Sequence, residues 1–196
     1  MTSTTYQDVQ RIINRLYNNG QPNRHLLHVL KNVNSLTNPR SQPTWALILT
    51  CQNQYQNDYK YYAIYEALHL YAIYQQAQSN QKASLDWRTK YQTNLFSRLG
   101  EYRPVSDSKN YETRVGKLLR SQNFHEACHE LDTILRLYKS KRKKIGNLPA
   151  IDFAQLAVDL EKCQYSPQEM NQIRLQWGKA YYNAVANNMK GTNKHD

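Results

Sequence analysis

Apolar side chains in this chain recur at intervals of three and four residues, and each run is bracketed by residues that start or stop helices. That pattern restricts the chain to packed helices. The clearest case is Ser166-Pro167-Gln168-Glu169, with a capping hydroxyl, a proline at the first helical position and an acid at the third. Met170, Ile173, Trp177 and Tyr181 then continue one buried stripe. Asn123 with Glu126 forms a second start signal, and Asp152 with Gln155 a third, with Ile151 and Leu156 placed as a hydrophobic staple.

Other runs follow the same rule. Val9, Ile12, Ile13 and Leu16 lead to Gly20, and Leu26, Leu27, Leu30 and Val33 follow Pro22. The stretch 34–43 reads as a loop, before a short helix holding Trp45, Ile48 and Leu49. A long helix carries Tyr61, Ile64, Tyr65, Leu68 and Ala72 on one stripe and ends near Gln78. Trp87, Tyr91, Leu95 and Leu99 mark another, ending at Gly100. Beyond residues 101–109, which read as a linker, Tyr111, Val115, Leu118 and Leu119 make one apolar face, and Ala127, Leu131, Ile134, Leu135 and Tyr138 the next. The expected fold is all-α, two packed helical bundles with about eight to nine helices in total. The expected domains are 1–105 and 106–196, the second with a basic surface and a frayed tail over the polar residues 187–196.

Hydrophobic residues make up 40% of the chain, enough for a real core. Only six Gly and six Pro occur, and no Val/Ile/Thr alternation suggests sheet. No apolar stretch approaches the roughly 20 residues of a membrane span. The N-terminus lacks a basic segment and an apolar run, so a cytoplasmic protein without membrane contact is expected. Cys51, Cys128 and Cys163 are scattered and odd in number, which reads as three semi-buried thiols, not a disulfide framework.

Lys and Arg outnumber Asp and Glu by 26 to 15, a formal net charge of +11 that suits a polyanionic partner. Both halves are basic, +6 over residues 1–105 and +5 over 106–196. In the second half the cations cluster. Arg114, Lys117 and Arg120, spaced by three, lie opposite Val115 and Leu118. Arg136 and Lys139 continue on the next helix, and Lys141-Arg142-Lys143-Lys144 closes it. Neutralising a helix dipole needs only one or two such charges. A phosphate-binding surface explains the rest, with affinity that is salt-dependent and blind to base sequence.

Two motifs invite an enzyme reading. His125-Glu126-Ala127-Cys128-His129 fits HExxH, which on a helix offers two imidazoles to zinc, but no third ligand can be placed. His125, His129, Asp132 and Arg136 follow one another beside the packing face, where solvated polar residues belong. Arg120 and His125 reproduce the Arg-x4-His spacing of HEPN ribonucleases, the rival reading of this chain. That chemistry needs both groups on one continuous helix, whereas Asn123 caps a new helix between them. Glycine-rich phosphate loops and GxSxG are absent, and carboxylates are sparse for a two-metal nuclease. No catalytic residues, metal or cofactor are expected. The 16 tyrosines against three phenylalanines can either stack on bases or pack with their hydroxyls near the surface; alternation with aliphatics along 61–71 favours packing.

Several segments taken in order resemble the CasB family. These are 62–76 (YAIYEALHLYAIYQQ), 114–121 (RVGKLLRS), 131–141 (LDTILRLYKSK), 151–160 (IDFAQLAVDL) and 174–182 (RLQWGKAYY), a likeness spanning about residues 60–182. Two places depart from the family pattern: the basic helix appears as Asn94-Leu-Phe-Ser-Arg98-Leu, and Asp132 stands where a basic residue is usual. The resemblance implies an all-helical, non-catalytic small subunit of the type I-E CRISPR surveillance complex, Cascade, acting in antiviral defence. Implied partners are guide RNA (crRNA), target DNA, the large and backbone subunits, and a second copy of the chain head to tail. The implied role is to stabilise guide–target pairing and the displaced DNA strand of the R-loop, with sequence read by base pairing. The implied nucleic-acid-binding groove would use Arg98, Arg114, Lys117, Arg120, Arg136, Lys139 and Lys141; Arg142, Lys143 and Lys144 join it on charge alone.

Overall fold

The computed structural model describes residues 4–18, 21–51, 58–76, 94–101, 108–142 and 149–192. Trp87, Tyr91, most of the 101–109 linker, Gly20, Lys143 and Lys144 lie outside that set, as do the side chains of Lys141 and Arg142.

The fold is all-α. Nine α-helices are described: α1 (Thr4–Leu16), α2 (Arg24–Asn32), α3 (Gln42–Ile48), α4 (Tyr59–Gln75), α5 (Leu95–Glu101), α6 (Ser108–Arg120), α7 (Phe124–Arg142), α8 (Phe153–Lys162) and α9 (Pro167–Thr192). Tyr17–Asn18 and Gln21–Pro22 form a two-residue antiparallel pairing between α1 and α2. The expected loop 34–43 is partly ordered: Pro39–Ser41 is a 3-10 turn, and Pro43 sits in the first turn of α3, where its missing N–H is harmless. Leu49 falls just past α3 and is exposed.

The start signals fold as local chemistry dictates. Ser166 Oγ accepts from the Glu169 N–H at 3.1 Å, and Asp152 Oδ1 from the Gln155 N–H at 2.9 Å. Asn123 Oδ1 accepts from the Glu126 N–H at 2.9 Å, while Glu126 reaches back to the Gln122 N–H at 2.8 Å. Such caps satisfy donors that a helix cannot satisfy itself.

α4 is the axis of the molecule. Its stripe was expected on one side, yet Ala63 to Gln75 is buried all round, since α1, α2, α7 and α8 surround it. A helix apolar on every side belongs inside a core. The halves on either side of 105/106 share one hydrophobic cluster: α1 and α4 pack on α8, and α5 on α9. α5 and α9 approach closely because Gly100 lies against the backbone of Tyr181. α9 also runs on to Thr192, into the polar stretch expected to fray, because Asn188 donates its side-chain amide to the Glu101 carbonyl.

Several tyrosine hydroxyls tie distant segments together. Tyr65 donates to the Val33 carbonyl at 3.0 Å, Tyr74 to Pro149 at 2.7 Å and Tyr111 to Leu99 at 3.3 Å. These hydroxyls end on backbone inside the protein, not near the surface as their spacing suggested. All three cysteines are buried and free, and burial pushes the Cys163 thiol up to about 12. Such thiols are poor nucleophiles.

Candidate nucleic-acid interface

Tyr111, Val115 and Leu118 turn one face of α6 into the core, which leaves Lys117 and Arg120 exposed on the other. Arg114 sits at the flank nearer α7 and meets Glu130 at 3.6 Å. Arg120 folds its guanidinium back over Gly116, where no side chain blocks it. Among the described residues neither Lys117 nor Arg120 has a hydrogen-bond or ion-pair partner. Arg174 of α9 donates to the Ser121 carbonyl and adds a third cation near the end of α6.

Of the other expected cations, Arg98, Arg136 and Lys139 have described side chains, and each has a partner. Arg98 pairs with Glu101 at 2.6 Å, one turn along α5. Arg136 Nε donates to both oxygens of Asp132, at 3.0 and 2.8 Å. Lys139 crosses to the end of α4, donating to the Ile73 carbonyl at 2.7 Å and Gln76 Oε1 at 3.1 Å. Lys139 therefore reaches α4 and Arg136 is held along its own helix, while Lys117 and Arg120 face solvent from α6.

The HExxH segment occupies the first turn of α7. Glu126, which would have to face a metal-bound water, is held in the capping box, and His125 and His129 are exposed. No cluster of three potential metal ligands occurs among the described residues. Arg120 ends α6 and His125 lies in α7, with Asn123 capping the new helix between them. Across residues 108–142, all described, the continuous helix that a HEPN active site needs is replaced by a break.

The polar stripe, exposed at His125, His129 and Arg136 as expected, lines a groove of about 1160 Å³ between the 34–37 segment, α4, the start of α7 and the α8–α9 turn. His125, His129, Asp132 and Arg136 form one side, and Glu66 and His69 of α4 the floor. His69 is 2% exposed, its Nδ1 2.6 Å from the Leu30 carbonyl and its Nε2 3.0 Å from Asp132 Oδ1. Burial lifts the Glu66 carboxyl to about 7, an effect that His69 opposes and Asp132 adds to. Sequence reading passed over both residues. Their trace is in the sequence: two ionisable side chains, Glu66 and His69, interrupt the otherwise apolar run 63–73.

Fold and side chains together define a basic all-α protein that presents free cations from a helix face. No helix among the described residues is long and apolar enough to cross a membrane. The chain belongs to the CRISPR-associated protein Cse2 family, whose pattern matches residues 6–182. This family, also called CasB, is that of a Cascade subunit of type I-E CRISPR systems. The fold is similar to that of CasB from Thermobifida fusca, with a TM-score of 0.69 and 17% identity over 92% of this chain and 99% of that one. No curated protein matches the sequence.

Proposed function

We propose that this chain is the non-catalytic small subunit of a Cascade complex, and that it binds nucleic acid through the exposed cations of α6. In this reading Lys117 and Arg120, flanked by Arg114, hold a sugar–phosphate chain. They thereby stabilise guide RNA–target pairing and the displaced strand of the R-loop. The observation that carries it is the contrast among the basic residues. Arg98 and Arg136 are paired with carboxylates on their own helices and Lys139 caps α4, whereas Lys117 and Arg120 stay exposed without a described partner. An unpaired cation row on a protein of charge +11 is the arrangement that phosphate contacts use. Charge contacts of this kind carry no base preference, which suits a subunit of an assembly in which pairing reads sequence. The chain would sit beside the large and backbone subunits and a second copy of itself, in the cytoplasm.

The test is a double reversal, Lys117→Glu with Arg120→Glu, in the reconstituted complex. R-loop lifetime and single-strand binding are followed between 50 and 300 mM salt. Each lost phosphate contact should lower the slope of log K against log salt by about 0.7–0.9. An unchanged slope and lifetime, with helix content intact, would remove the assignment.

A further inference from the structure

Lys117 and Arg120 have exposed neighbours on α9. Leu175, Lys179 and Tyr182 form one stripe at helical spacing, and both Leu175 and Tyr182 are 58% exposed. Lys179 is exposed too, without a hydrogen-bond or ion-pair partner among the described residues.

This stripe borders the cations of α6. Gly178 lies against Leu119, Arg174 reaches the Ser121 carbonyl, and the rings of Tyr181 and Tyr111 are 6.5 Å apart, so α6 and α9 pack antiparallel. Leu175 comes three residues before Gly178 and Tyr182 four after it. Both therefore stand about one turn from that contact, on the flank turned away from buried Trp177. On α6 the matching flank begins at Gly116, three residues before Leu119, and the Arg120 guanidinium lies over it. The outer faces of the two helices thus meet in one surface. Each helix contains a single acid. Glu169 is half-buried in the first turn of α9, and Glu112 is exposed on α6 about two turns from Arg120. Lys117, Arg120 and Lys179 leave that surface with a surplus of positive charge.

Tyr182 supplies what a phosphate contact lacks. Its ring meets that of Tyr181 at 5.1 Å with the planes at 80°. An edge-to-face contact covers at most one face of a ring. Cations that take phosphates beside an open aromatic face that takes a base are the means by which proteins hold single strands. A duplex keeps its bases stacked on one another, and freeing one costs a few kcal/mol.

We propose that Tyr182 stacks on an unpaired base of the strand whose phosphates Lys117, Arg120 and Lys179 hold, with Leu175 as a second apolar contact. Resting on the nucleic-acid reading of α6, this assignment narrows its ligand to a single strand in preference to a duplex. It also extends the site from α6 onto α9.

The test compares an oligothymidine with a wholly abasic strand of the same length, which keeps the phosphates and lacks the bases. Both are titrated with the full-length chain at low salt. Tyr182→Ala should weaken oligothymidine binding about fivefold or more, with the abasic strand and the salt slope unaffected. Tyr182→Phe keeps the ring and should bind like the parent. Lys179→Met should make the salt slope shallower by about 0.7 on either strand. Equal losses on both strands, no loss with Tyr182→Ala, or a loss shared by Tyr182→Phe would overturn the proposal. So would a Tyr182→Ala chain that binds both strands normally but no longer enters the complex, because a protein partner would then cover the stripe. The two readings fail separately. A shallower slope for Lys117→Glu, Arg120→Glu beside a silent Tyr182→Ala removes the stacking alone. An unchanged slope for that double variant beside a base-dependent loss at Tyr182 removes the α6 contacts and supports the stacking.

Discussion

His69 of α4 and Asp132 of α7 are joined by a 3.0 Å contact between Nε2 and Oδ1, and the other ring nitrogen of His69 faces the Leu30 carbonyl at 2.6 Å. Neither acceptor can supply a proton. A backbone carbonyl has none, and Asp132 is held down at about 2 because bonds from His69 and Arg136 outweigh the effect of its burial. Both ring nitrogens must therefore donate, and His69 is an imidazolium that pins α2 and α7 to α4.

This fixes the pH dependence of stability. Burial alone would depress His69, but the Asp132 bond, the Glu66 charge and the Leu30 carbonyl together raise it above 6.5. A raised base contributes fully below its unfolded value, and the contribution disappears as pH rises through the folded one. Glu66 acts in the same direction, since a buried carboxyl lifted from 4.5 to about 7 stabilises at low pH and ceases to as pH passes 7. Asp132 acts oppositely, its contribution present above 3.8 and lost as pH falls towards 2. The melting temperature should therefore be highest in mildly acidic buffer and fall between pH 6 and pH 8. Asp132→Asn should flatten that fall and lower the stability at its maximum by about 1–3 kcal/mol. Calorimetry across pH 4–9 measures both; a midpoint that climbs from pH 6 to pH 8 contradicts the imidazolium assignment.

Gly100 and Gly116 should respond to alanine with opposite signs. A Cβ on Gly100 would collide with the Tyr181 carbonyl oxygen and stand 2.9 Å from the Ala184 Cβ, so α5 would have to lift from α9. Gly100→Ala should cost about 2–4 kcal/mol, the scale of overpacking in a tight core. A Cβ on Gly116 meets only the flexible Arg120 guanidinium, at 3.6 Å. Mid-helix glycine is about 1 kcal/mol worse than alanine, so Gly116→Ala should stabilise by roughly 0.5–1 kcal/mol. Chemical denaturation of the two variants tests the pair; equal responses would mean that α5 and α9 do not touch at Gly100.

How far the sequence carried the fold depends on whether a feature is local. Ser166, Asp152 and Asn123 act on donors three residues away, so their caps could be read directly and are found in place. The break between Arg120 and His125 followed from the same reasoning. Long-range partners could not be read in this way. The departure at Asp132 from a basic residue was visible, but its cause, a buried histidine 63 positions away, needed the fold. Lys139 looked like one more member of a basic run because nothing local shows that Ile73, in the last turn of α4, lies beside it. The hydroxyls of Tyr65 and Tyr74 escape a local reading for the same reason, since their acceptors, the Val33 and Pro149 carbonyls, are distant in sequence.

Trp177 is where the closing segment of the family pattern meets the core. Its ring stacks on Phe96 at 4.6 Å, and Nε1 donates to Asp159 Oδ2 at 2.9 Å, while Gln155 donates to the other oxygen. Burial raises the Asp159 carboxyl, and the bonds from Trp177 and Gln155 oppose that rise. Trp177→Phe keeps most of the stacking but strips one donor from a buried carboxyl. The loss should be about 2–3 kcal/mol, and Asp159→Asn in that background should recover part of it by removing the charge. A double-mutant cycle by urea unfolding reads the coupling; strictly additive losses would show that the two side chains do not interact.

Lys139 and Lys117 provide the sharpest separation between a cation that holds the fold and one that holds a ligand. Lys139 donates to the Ile73 carbonyl at the C-terminal end of α4, where the helix dipole favours positive charge and where carbonyls lack helical partners. Lys139→Met should therefore lower stability by about 1–2 kcal/mol, with nucleic-acid affinity and its salt slope unchanged at a temperature where both proteins are folded. Lys117 is exposed and has no described partner, so Lys117→Met should stay within about 0.5 kcal/mol of the parent in stability. Its effect should appear instead as a salt slope shallower by about 0.7–0.9. Thermal melts and filter binding on the same two preparations distinguish the roles. If Lys139→Met weakens binding while leaving the melt untouched, its ammonium reaches phosphate in the assembled complex, and the α4 cap is not its function.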